Sequence, residues 1–353
     1  MGMNLGDEVR VTLFGESHGV AVGALLEGLP AGTPIDELRL ISDLERRRPG
    51  RRLLSSRAEL DLCEILSGVH EGKATGAPIL LLVRNQDAKP RDYAFLPDHP
   101  RPGHADLPES VRTGGHADPR GGGSHSGRLT LGLVAAGALV REILIARRVD
   151  VVAHCAGIGG IKARYSQESQ DSEACKLLNC NDMNAADEML TLVHSLRKDG
   201  DTIGSTVEAR IEGLELGLGE PWFDGIEPAL ARGLMAIPGA RAVEFGRGAD
   251  VVNMRGSEHN DAWGDGPKPI GDDADGALGG MATGAPLRIL VHFKPPSSIS
   301  IPQMTLHLPS GEMRELTIGG RHDPVLAPRA APVVEAVCSL IIADLMTIRE
   351  SST

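Results

Sequence analysis

Aromatic side chains are scarce, with five Phe, two Tyr and two Trp in 353 residues. A chain with so few stacking platforms is poorly suited to binding single strands, and its net charge of −12 repels a phosphate backbone, so no nucleic-acid partner is expected. The five cysteines are odd in number and none are in C-x-x-C spacing. This pattern argues for reduced, mostly buried thiols rather than a disulfide framework or a zinc site. No apolar run stands out at bilayer-spanning length, and the opening MGMNLGDEVR has no signal-peptide core. A cytoplasmic protein without a membrane partner is therefore expected. A Rossmann fingerprint, an internal repeat and an obvious linker are also lacking, so residues 1–353 are read as one domain.

A hydrophobic content of 41% allows a substantial core. Val9 to Phe14 and Val20 to Leu26 read as strands around Gly15-Glu-Ser-His-Gly19, and Pro34 to Arg48 as a helix. Further strands are expected at Asp61 to Val69, Pro78 to Val83, Val149 to Ile158, Ser205 to Glu212 and Leu287 to Phe293. Helices are expected at Leu129 to Arg147, Ala186 to Lys198, Gly225 to Ile237 and Pro328 to Ile348, while Tyr165 to Ala185 is polar and gives no clear pattern. The elements do not alternate at βαβ spacing, which makes the class α+β.

Chemistry concentrates in Arg101 to Thr130, which carries His104, His116 and His125 and the run Gly121 to Gly123. Glycines let backbone N–H groups approach an oxyanion. Ser124, Ser126 and Thr130 add hydroxyls, with Ser126 placed to cap a helix beginning near Arg128. Arg46, Arg47, Arg48, Arg51, Arg52 and Arg57 fall within twelve residues, a density that repels itself unless an anion joins it. Gly276 to Gly284 is a second glycine-rich loop, Lys294-Pro-Pro-Ser-Ser298 a possible anion grip, and Arg321 with Asp323 sets a cation beside a carboxylate. Gly15 to Gly19 formally matches the G-x-S-x-G nucleophile elbow, which raises a hydrolase built on Ser17. Position counts against it, because only fourteen residues precede Gly15 and an elbow needs earlier strands. A turn between two strands, with His18 in a pocket, fits better. An anion-binding scaffold without turnover is the non-catalytic alternative.

Six segments stand in an order similar to that of the chorismate synthase family: GESHG at Gly15, RRRPG at Arg46, RPGHAD at Arg101, RGGG then SGR at Arg120 to Arg128, KPPSSI at Lys294 and GRHDP at Gly320. The resemblance runs from about Arg10 to the closing helix. It implies a helical layer sandwiched between antiparallel sheets and assembly as a homotetramer. It implies conversion of 5-enolpyruvylshikimate 3-phosphate to chorismate with reduced FMN and no net redox change. By the same resemblance His18 and His104 are the catalytic acids and Asp323 the base toward the flavin. Arg46, Arg47, Arg48, Arg52, Arg101 and Arg128 are implied to bind substrate. Flavin contacts are implied for Ser124, His125, Ser126, Pro238, Gly239, Gly279, Lys294, Pro295, Pro296, Ser297, Ser298 and Arg321. Arg47 and Arg52 would also meet NADPH if the protein reduces its own flavin. The chain departs from many relatives at Ser124-His125-Ser126, at Pro238-Gly239 in place of Asn-Ala, and at Pro296 within Lys-Pro-Pro.

Overall fold

The computed structural model describes residues 2–48, 61–86, 93–166, 172–271, 276–319 and 322–352. In chain order the first half runs β1 (Asn4–Leu5), β2 (Arg10–Gly15), β3 (Ala21–Glu27), α1 (Glu37–Arg47), β4 (Cys63–Ile65), β5 (Val69–His70), β6 (Lys73–Ala74), β7 (Ile79–Arg84), α2 (Asp106–Arg112) and α3 (Thr130–Ala146). Next come β8 (Asp150–Ile158), β9 (Ile161–Lys162), α4 (Glu173–Leu178), α5 (Met183–Asp199), β10 (Ser205–Glu212), α6 (Ile226–Met235), β11 (Ala240–Phe245) and α7 (Gly256–His259). The chain closes with β12 (Ala277–Leu278), β13 (Met281–Ala282), β14 (Leu287–Phe293), β15 (Gln303–His307), β16 (Glu312–Leu316) and α8 (Ala327–Ser352).

Two antiparallel five-stranded sheets, ordered β1-β2-β3-β7-β4 and β11-β14-β10-β8-β9, enclose a helical layer. Helix α3 packs on β2, β3 and β7 of the first sheet and on α1 and α8 beside it, while α8 packs on β8 and β10 of the second. The expected sandwich of α+β class is therefore observed. Strand alternation explains the second sheet's two faces: Val207, Ala209 and Ile211 point into the core, and Thr206, Glu208 and Arg210 point away from it. Close packing of α3 depends on two glycines. A Cβ on Gly132 would come within 2.7 Å of the Gly23 carbonyl, and one on Gly137 within 2.5 Å of the Ala336 side chain.

Two charged ties run through this layer. Glu335 of α8 accepts from Arg46 of α1 at 3.0 Å, from Arg141 of α3 and from the Ala153 N–H of β8 at 3.0 Å. Burial alone would raise the Glu335 carboxyl, but Arg46 and Arg141 outweigh it and hold the group below its ordinary value. Asp344, also on α8, accepts the N–H groups of Asp7, Glu8 and Val9 at 3.0, 2.8 and 2.8 Å, fixing the turn between β1 and β2.

Several sequence expectations need correction. α3 and α8 lie in segments long and apolar enough to cross a membrane, contrary to expectation, yet those segments are 72% and 89% buried within the protein and serve as core helices. The strand expected from Asp61 to Val69 is broken after Ile65, and Gly68 turns at φ +76°. The Tyr165 to Ala185 segment contains α4, capped by Ser172 and closed by left-handed Asn179. It also contains the start of α5, which begins at Met183 because Asp182 accepts from the Ala185 N–H. Strand β11, helix α2 and the β15–β16 hairpin were not anticipated. All five cysteines are free, as expected, and four are buried.

Candidate active site

A cavity of about 900 Å³ opens where the N-terminal end of α3 meets α6, α8 and the β1–β2 edge of the first sheet. Three loops complete its wall: Arg101 to Ala105, the glycine run up to Gly127, and Lys294 to Ser298. Ser126 accepts from the Arg128 N–H at 3.2 Å, so it caps the 3₁₀ turn leading into α3, close to where the sequence placed a cap. The helix therefore turns its positive end toward the cavity.

Arg101 and His104 share one carboxylate. Asp106 accepts from the Arg101 N–H at 2.9 Å, from Arg101 Nε at 2.8 Å and from Arg101 Nη2 at 2.7 Å, and it lies 2.6 Å from His104 Nδ1. Burial would raise the Asp106 carboxyl, but hydrogen bonds from Arg101 and His104 dominate and hold it well below the usual carboxylate range. The carboxylate fixes the ring of His104 through Nδ1, as an orienting partner does for a histidine that handles protons at its other nitrogen. Arg101 also stands 5.5 Å from the centre of the Tyr93 ring, and Tyr93 meets His18 edge-on at 5.0 Å between centroids.

His18 sits on the β2–β3 turn and is 8% exposed. The turn is gripped from behind, where the Ser17 N–H donates to the Gly123 carbonyl at 3.2 Å. Gly121 adopts φ +76°, and a Cβ there would lie 2.5 Å from the His18 ring, so the glycine run permits close approach to this histidine. The same geometry removes the elbow reading of Ser17. An elbow joins a strand to a helix, whereas β2 and β3 pair antiparallel with Gly15 opposite Val22.

Across the cavity, Lys294 follows β14 and donates to the Gly103 carbonyl and to Ser297 Oγ, the latter at 2.6 Å. Burial and then the neighbouring Arg241 lower its pKa. Gly239 at φ +93° faces Leu326 so closely that a Cβ would lie 2.6 Å from it, and its carbonyl accepts from the Lys294 N–H at 2.9 Å. Asp323 lines the cavity and is ion-paired to Arg329 of α8. His125 also lines it, with Nε2 2.9 Å from Glu109.

The structure brings together His18, Arg101, His104, Ser124, His125, Ser126, Pro238, Gly239, Lys294, Pro296, Ser297, Ser298 and Asp323 around one cavity. Pro295 is outside its lining, and so is Gly279, which lies in the β12–β13 turn. Most of the arginine cluster is placed outside this lining. Arg46 is committed to Glu335 and Asp43. Arg47 is 1% exposed and donates to Thr130 Oγ1 at 2.9 Å and the Gly127 carbonyl at 2.7 Å, with its pKa pushed down by burial and by Arg329. Arg128 donates to Asp61 at 2.6 Å and to Asn85 at 3.0 Å. Together with Arg48 these side chains stand outside the cavity lining, and Arg47 supports its wall through Thr130 and Gly127. Internal carboxylates, hydroxyls and carbonyls partner these arginines. Arg52 and Arg321 lie outside the described residues. Sequence reasoning missed Arg232, Arg241 and Tyr93 as lining residues; isolated in their segments, they carry no motif.

The chorismate synthase family model matches residues 9–347 of this chain. The chorismate synthase of Aeropyrum pernix is 46% identical over 99% of this chain and 93% of its own length. That of Methanosarcina mazei is 43% identical over 98% and 96%. A crystal structure of chorismate synthase superposes with a TM-score of 0.73 at 26% identity, covering 98% of this chain and 93% of the other. With its sandwich fold, its ordered motifs and nearly its whole length matched, the chain belongs to the chorismate synthase family.

Proposed function

We propose that this chain converts 5-enolpyruvylshikimate 3-phosphate to chorismate and phosphate, within aromatic amino acid biosynthesis, using reduced FMN. The observation that supports this most is one cavity carrying both histidines, one carboxylate and several cations among its described lining residues. Its dimensions are those of a small-molecule site, and its walls combine apolar side chains such as Leu13, Leu129 and Leu133 with hydroxyls and cations. That donor set fits a planar, partly apolar ring with a phosphate tail, and it also fits a substrate bearing two carboxylates and a phosphate. Bound reduced flavin would supply an electron-rich ring that assists loss of phosphate without net redox change.

In the elimination a C–H bond and the C–O bond to phosphate break at opposite ends of an allylic unit. His18 meets the departing phosphate as a general acid, and His104, steadied by Asp106, holds a proton toward the flavin ring. General acid catalysis is worth about 10²–10⁴-fold. Asp323, the carboxylate in the described lining, takes up the proton that is lost, with Arg329 setting its direction. Arg101, held by Asp106, faces the substrate's negative charge, while Lys294 belongs with the flavin contacts. The enzyme works in the cytoplasm as a homotetramer.

Incubation with substrate and dithionite-reduced FMN tests the assignment. Phosphate release and chorismate absorbance are expected only with the reduced flavin, and no release under those conditions would remove the proposal. Asp323→Asn separates a base from a structural ion pair. Binding retained with turnover lowered at least a hundredfold supports the base, and early melting with normal turnover per folded molecule removes it.

A further inference from the structure

Arg241 is placed unusually for a strand residue. Along the β11–β14 ladder, Ala240 faces Phe293 and Ala242 faces His292, so Arg241 is the extra residue of a β-bulge. Bulges re-aim a side chain out of the regular alternation, and Arg241 is aimed at the same cavity that Lys294 lines. Lys294 follows β14, the strand paired with the bulged one. The two cations stand close, and Arg241 adds to burial in lowering the Lys294 pKa. The Arg241 guanidinium donates to the Ala240 carbonyl at 3.1 Å rather than to a carboxylate.

Other lining cations are neutralised in place: Arg101 by Asp106 and Arg112 by Glu109. Arg232 of α6 lines the cavity with no ion pair to a described residue. The wall formed by α6, β11 and the end of β14 thus carries Arg232, Arg241 and Lys294 without a carboxylate among the described lining there, while Asp323 is held by Arg329. Cations set around a cavity without counterions favour an anionic ligand group.

We propose that the bulge-borne Arg241, with Arg232 of α6 beside the same wall, forms the grip for the terminal phosphate of the flavin nucleotide. The inference rests on the FMN reading above and specifies how this chain selects the phosphorylated flavin. A phosphate monoester could also come from the substrate, but the substrate's leaving phosphate is assigned to His18, and His18 belongs to the β2–β3 turn rather than to this wall. Pro238 and Gly239, which precede β11, bring no hydrogen-bonding side chain, so selectivity at this wall falls to the arginines.

Equilibrium titrations of FMN and of riboflavin, followed by flavin fluorescence, test this in wild type, Arg241→Ala, Arg241→Lys and Arg232→Ala. Both arginines are exposed, so the variants should keep their fold, which circular dichroism checks. Wild type should bind FMN more tightly than riboflavin. Arg241→Ala should weaken FMN binding about tenfold or more, as loss of a charge-assisted hydrogen bond predicts, and leave riboflavin binding unchanged. Arg232→Ala should act the same way to a smaller extent, and Arg241→Lys should recover part of the loss. Equal loss for both flavins, or an unchanged preference for FMN in Arg241→Ala, overturns the grip while the FMN reading stands. A wild-type protein that binds neither flavin overturns both. Loss of the substrate's Michaelis constant alone, with flavin affinities intact, would transfer Arg241 to the substrate phosphate and overturn the flavin assignment.

Discussion

Replacing Asp106 by Asn isolates the charge that organises the cavity from its shape. In the native protein this carboxylate takes three hydrogen bonds from Arg101 and lies 2.6 Å from His104 Nδ1, and the side chains of Arg101 and Asp106 are only 4% and 8% exposed. Breaking a buried pair by removing one partner costs about 3–5 kcal/mol. Asn keeps the volume and one acceptor, so a loss of about 2–3 kcal/mol is expected, a large part of a typical folding stability of about 5–15 kcal/mol. The pH dependence carries a sign. The folded pKa of Asp106 lies well below the ordinary aspartate value of about 3.9, so its contribution is complete above that value and disappears as pH falls through the lower folded pKa. Melting temperatures at fixed protein concentration should therefore separate wild type from Asp106→Asn at pH 7, and the gap should narrow as the solution is acidified below about pH 4. Turnover per folded molecule should fall as well, because His104 loses the group that fixes its ring. Equal melting at neutral pH, or a gap that widens in acid, would refute the reasoning.

Three other expectations follow from the same packing. Gly121→Ala adds a side chain at φ +76° and against the His18 ring, so a strain of about 1–2 kcal/mol and a fall in turnover are expected, measured by melting and by chorismate formation. Glu335→Gln leaves Arg46 and Arg141 facing a neutral group in a buried site, and should lower the melting temperature with little change in the Michaelis constant of the folded fraction. Burial pushes the Cys63 thiol up to about 11, so at pH 8 this half-buried cysteine should alkylate slowly, with all five thiols reacting only after denaturation. Rapid native labelling counted by intact mass would contradict that environment.

Much of the architecture was legible because periodicity follows burial. Strand β10 alternates cleanly, and α3 and α8 are apolar over most of their surface because they lie between two sheets. Strand β11 was missed because its alternation is interrupted at the bulge that carries Arg241. The β15–β16 hairpin escaped because most of its residues stay partly exposed and carry no apolar stripe. In the site, short motifs carried the histidines and the Lys294 loop correctly to one cavity, since glycines and turns act locally. Arginine density did not reveal the internal partners of the arginine side chains. Whether Arg46, Arg47 and Arg128 meet a ligand or Glu335, Thr130 and Asp61 depends on contacts 67 to 289 residues away, which spacing along the chain does not encode.

The Asp344 cap has a consequence for biosynthesis. β1 and the residues just before it form part of the cavity wall, yet the turn that follows β1 is fastened by a carboxylate on the final helix. A nascent chain emerging from the ribosome can pair β2 with β3 early, but it has no acceptor for those three N–H groups until residue 344 has been made. The wall made first is therefore locked last. Ligand binding should then report complete synthesis rather than partial folding, and a chain stalled before α8 would hold His18 and His104 without a closed cavity around them.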